Sequence, residues 1–128
     1  MPRTEVIFYQ EAEDDVPVLD WLKDLRRFDP RAYMTCVAAI ERLVEFGHEL
    51  RRPLADFLRE GIHELRIRKS RVNYRILYFF HGRKVAILAH AITKEDKVPK
   101  ADIERALRRK KEFEADPGAH SYAEEETA

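Results

Sequence analysis

Residues 61–80 read GIHELRIRKSRVNYRILYFF, and their alternation decides the fold. His63, Leu65 and Ile67 fall on one face of an extended strand, and Glu64, Arg66 and Arg68 fall on the other. After a short polar link, Lys69-Ser70-Arg71, the pattern resumes. Val72, Tyr74, Ile76, Tyr78 and Phe80 share a face, while Asn73 and Arg75 begin the opposite one before Leu77 and Phe79 turn it apolar. So short a link predicts an antiparallel hairpin with Arg66, Arg68 and Arg75 on one side. A sheet with one greasy face and one arginine face offers either a solvated outer surface, the ordinary fate of charge on a half-buried strand, or a seat for an anion.

Downstream, His81-Gly82 suits a tight turn. Lys84 to Ile92 (KVAILAHAI) then gives a third antiparallel strand, apolar on both faces except at His90. Thr93 to Lys97 is a polar loop. Pro99 opens a last helix with Ile103, Ala106, Leu107 and Phe113 on one side and Arg105, Arg108, Arg109 and Lys111 elsewhere, ending near Asp116-Pro117-Gly118. Upstream, residues 48–60 (HELRRPLADFLRE) read as an ordered connection with one helical turn. A helix precedes it, with Asp29 as N-cap, Pro30 at the first position, an apolar stripe of Tyr33, Cys36, Val37, Ile40, Leu43 and Val44, and Gly47 as its stop. Val18, Trp21, Leu22 and Leu25 predict another helix over 15–27, packed antiparallel to the next. Thr4 to Tyr9, rich in β-formers, reads as a first strand. The expected fold is therefore α+β: an N-terminal strand, an antiparallel helix hairpin, a three-stranded antiparallel meander completing a small sheet, and a C-terminal helix. One domain spans 1–116, and 117–128 is expected to be an acidic, disordered tail.

The 128 residues suffice for one core without metal or disulfide support. Cys36, the lone cysteine, reads as a core thiol in a reducing cytoplasm. No apolar run has the length of a signal peptide or a membrane span, so a cytoplasmic protein with no membrane partner is expected. The zero net charge conceals an uneven distribution. Residues 1–50 carry 6 Lys/Arg against 11 Asp/Glu, residues 51–84 carry 10 against 3, and residues 85–128 carry 8 against 10, giving −5, +7 and −2. Positive charge thus gathers on the hairpin and its approach, where Arg51, Arg52, Arg59, Lys69 and Arg71, with Lys97 nearby, suit a polyanion such as RNA. No glycine-rich phosphate loop, zinc spacing or serine-hydrolase motif occurs, and His63, His81 and His90 are dispersed. No metal or cofactor is expected.

GIHELRIR (61–68), VNYRILYFF (72–80) and AILAHAITKEDKVPKADIERALRRKKEF (86–113), with WLKDL (21–25) and FGHELRRPLADFL (46–58), resemble the HigB-like, phage-derived branch of the RelE/ParE toxin superfamily. The resemblance covers roughly residues 4–118. It implies a RelE-like fold and a metal-independent ribonuclease that cuts messenger RNA in the ribosomal A site, silenced by a helix-turn-helix antitoxin encoded by an adjacent gene. It marks Arg66, Arg68, Arg75 and Lys94 as the basic active-site groups, with Glu64 or His90 left to move the proton. Two departures stand out: TKEDKVP is less basic than the loop of many relatives, and Glu64 stands where the RelE branch has lysine. A ParE-like gyrase inhibitor or a non-catalytic RNA-binding module on the same scaffold remains the alternative.

Overall fold

In the computed structural model, which describes residues 3–93 and 96–122, the hairpin forms as its alternation requires. Strands β3 (Ile62–Lys69) and β4 (Val72–His81) are antiparallel, with Arg66 opposite Arg75 and Arg68 opposite Asn73. Ser70 and Arg71 make the turn, both at positive φ (51° and 68°). That double left-handed turn matches the twist of the strands it joins.

The remaining elements are β1 (Glu5–Phe8), α1 (Pro17–Phe28), α2 (Pro30–Phe46), a 3-10 turn (Gly47–Glu49), β2 (Ala55–Arg59), β5 (Val85–Thr93) and α3 (Lys100–Ala115). The α+β class holds, but the sheet is larger than expected: five strands in the order β1-β5-β4-β3-β2. β1 runs parallel to β5, and every other pair is antiparallel. The unforeseen strand is β2, in the stretch expected to be a connection. Its sequence ADFLR lacks a clean alternation and follows a proline, so only pairing with β3 makes it a strand.

Both helix starts obey local rules. Pro17 and Pro30 occupy first-turn positions, and the Asp29 carboxylate accepts from the Ala32 N–H at 3.1 Å. Asp29 is also the joint between α1 and α2. These helices cover one face of the sheet, burying Val18, Leu22, Cys36 and Leu43 against Leu65, Ile67, Tyr74, Ile76 and Leu88. Burial pushes the Cys36 thiol up to about 12, as suits a plain core thiol. Helix α3 lies on the other face, over Ile62, Leu77, Phe79, Ile87 and Ala89. A bulge in β5 leaves Ala89 without a partner in β4. There α3 differs from its expected polarity, because Arg109 is buried and donates to the Ala89 carbonyl at 2.7 Å. Pro117 to Tyr122 return beside β1: Gln10 N–H donates to His120 O at 2.9 Å and Tyr122 N–H to Phe8 O at 3.0 Å. Residues 123–128, the rest of the expected tail, lie outside the described residues.

Candidate functional site

The face that carries α3 is only partly roofed, and the uncovered part is where β3 and β4 present their arginines. Cross-strand pairing sets Arg66 against Arg75, and Arg68 lies one alternation further along β3. Together with Pro53, Leu54, Asn73 and Asp96 they line an open hollow of about 450 Å³. A second hollow of about 290 Å³ shares Arg66, Arg75 and Asp96 and continues to Arg52, Glu64, Lys97 and Val98. The two form one groove running from the hairpin toward the start of α3.

Within the groove the arginines differ in depth. Arg75 is 5 % exposed; its Nη2 donates to the Asp96 carbonyl at 3.2 Å, and its Nε lies 3.1 Å from Glu64 Oε1. That contact is Coulombic rather than a well-aligned hydrogen bond, since Glu64 Oε1 has no hydrogen-bond partner among the described residues. Glu64 is 7 % exposed. Burial raises its carboxyl above the ordinary range, and Arg75 and Arg66 pull the other way. Arg66 is half-buried and Arg68 exposed, and neither forms an ion pair among the described residues. Asp96 spends its carboxylate on Asn73 Nδ2, at 3.1 Å, and its carbonyl on Arg75. Among the described residues the groove therefore holds two guanidinium groups outside any ion pair, on a floor held rigid by a third.

Other expected site residues fall elsewhere. His90 does not reach the groove; it lies under α3, with Nε2 2.6 Å from Asp102 Oδ1 and Nδ1 3.3 Å from Arg109 Nη1. A neutral ring with its proton on Nε2 satisfies both contacts, in keeping with a pKa lowered mainly by burial. Arg52 reaches the groove but binds Asp56 at 2.7 Å, and Arg59 lies 3.4 Å from Glu60. Lys69 and Arg71 flank the hairpin tip, Lys97 is on the rim, and Arg51 lines a hollow on the opposite face. Lys94 lies outside the described residues. Sequence reasoning passed over Asn73 and Asp96, whose pairing fixes the loop after β5; no local pattern marks a contact between positions so far apart. The Asp96 carbonyl, in turn, anchors Arg75.

The groove has the chemistry of an anion seat: guanidinium groups facing each other across the ladder, with a desolvated carboxyl beside them. No curated protein matches the chain. The model of the phage-derived Gp49-like protein family matches residues 23–111, from the middle of α1 into α3 and including the whole groove. The chain accordingly belongs to the phage-derived Gp49-like family, a family of RelE- and toxin-type proteins.

Proposed function

We propose that this chain is the toxin of a type II toxin–antitoxin pair, HigB-like within the RelE/ParE superfamily, and that it cleaves messenger RNA in the ribosomal A site. One observation carries the reading: Arg66 and Arg75 face each other across the β3–β4 ladder in an open groove, with Arg68 alongside. Fixed guanidinium donors of that kind stabilise the charge that builds on a phosphate under attack. The RNA's own 2′-hydroxyl forms the new O–P bond, the bond to the 5′-oxygen breaks, and a 2′,3′-cyclic phosphate and a 5′-hydroxyl result. Arg66 and Arg75 hold the non-bridging oxygens, while Arg68, and Lys94 by resemblance, steer the backbone. Glu64 takes the 2′ proton. Its raised pKa makes it a stronger base than an ordinary carboxylate, and the adjacent guanidinium groups hold it in place. The leaving 5′-oxygen draws its proton from water. An exposed groove of this kind calls for a cover, and a helix-turn-helix antitoxin from the adjacent gene is the expected partner.

The test is primer extension on a message translated in a purified extract. Cut sites should appear only with ribosomes present, and Arg66→Ala should reduce cleavage on the order of 100-fold. Arg66 is the cleaner probe because it has no ion-pair partner to orphan among the described residues. Undiminished cleavage by Arg66→Ala would reject the mechanism. RNA binding without any cuts would leave the non-catalytic module, and inhibition of gyrase supercoiling would favour the ParE-like alternative.

A further inference from the structure

On the opposite face of the sheet, at the β2 edge, lies a hollow of about 400 Å³ that the reading above does not use. We propose that this hollow, lined by Phe57, His63, His48 and Arg51, seats one base of the single-stranded RNA whose backbone occupies the arginine groove. The inference rests on the RNA reading and extends it to a second, base-contacting subsite.

Phe57 points to it first. It is 56 % exposed on an edge strand. Across the ladder His63 meets it edge-on, ring centroids 5.2 Å apart at 74°. His63 is in turn stacked on the buried Tyr78 at 5.3 Å and 20°. His48, from the turn after α2, stacks on Phe80 at 3.6 Å and 20°. The histidine rings are thus held beside Tyr78 and Phe80 and form a preformed aromatic surface. Rings beside a guanidinium are the chemistry that holds splayed-out bases of single-stranded RNA.

Continuity with the groove supplies the second argument. Arg52 and Asp56 line both this hollow and the inner part of the arginine groove. Strand β2 carries Asp56 between them, one strand spacing of about 4.8 Å from β3. A strand of RNA whose phosphate rests on Arg66 can therefore cross the β2 edge beside the exposed Arg52 and lay a neighbouring base on Phe57.

The experiment titrates the full chain into a short single-stranded RNA carrying 2-aminopurine at successive positions. One position should lose fluorescence on binding. Phe57→Ala should abolish that quench and weaken binding roughly 5- to 100-fold, with the salt dependence unchanged, while Phe57→Trp should restore both. Arg66→Ala should lessen the salt slope yet keep the quench. Equal affinity and quench in Phe57→Ala would overturn the subsite and leave the groove reading intact. RNA binding unaltered by Phe57→Ala while capture of the co-expressed antitoxin is lost would make the patch a protein surface, also overturning the proposal. Absence of RNA binding by the unaltered chain, with or without ribosomes, would remove both readings together.

Discussion

Arg75 and Glu64 are bound to each other's fate. Each is buried, and removing one leaves the other desolvated without its counter-charge, a change that typically costs about 3 kcal/mol or more. Glu64→Gln should therefore unfold at lower urea concentration, by about 3 kcal/mol in extrapolated stability, because it strands a buried guanidinium that keeps its charge, while Arg75→Ala should lose less, because the carboxyl left behind can take up a proton, the form that burial already favours. Equal losses in the two variants, measured by urea denaturation, would contradict this account. The comparison also warns that loss of cleavage in Arg75→Ala needs a folding control. The three arginines were legible from the sequence because strict alternation assigns each side chain a face. Their depths were not, because alternation says nothing of where α3 stops covering the sheet. For the same reason His90 looked available in the sequence and turns out to be walled in by Asp102 and Arg109.

At the level of elements, the helices were the most readable part, since their ends carry explicit signals. The clearest is Gly47, at φ 51° and ψ −123°, where an added Cβ would run into Thr4 Oγ1. Thr4 is held there by its N–H to Val44 O at 2.8 Å, so the end of α2 and the entry to β1 share one tight crossing. Gly47→Ala should cost about 2 kcal/mol, from the left-handed backbone together with the displaced threonine, and thermal denaturation would register it. A variant as stable as the parent would show that this crossing yields easily. Strand β2 was illegible for the converse reason. Nothing in ADFLR specifies a strand until β3 is beside it, and an edge strand that buries Ala55 while exposing Phe57 shows no apolar alternation to betray it.

Over the whole molecule, β1 and α3 are locked by a charged cluster that no sequence pattern announces. Arg108 reaches back to donate to Glu11 Oε1 at 2.8 Å, and Tyr9 Oη donates to Glu112 Oε2 at 2.7 Å. The hydrogen bond from Arg108 is the chief reason the Glu11 carboxyl is pulled down to about 2. A carboxyl depressed by folding lends stability that is complete above its unfolded value and is lost as pH falls toward the folded one. Urea midpoints should therefore fall between about pH 5 and about pH 2, and Glu11→Gln should flatten that limb. Identical slopes would remove Glu11 from the account. The parallel seam between β1 and β5 has one more consequence. Glu5 registers with Val85, so β1 must wait, unpaired and apolar at Val6, Ile7 and Phe8, until β5 has been made. Closure of the sheet is consequently a late event of biosynthesis, and a chain whose translation is cut short before β5 would carry its arginine hairpin without the seam that completes the molecule.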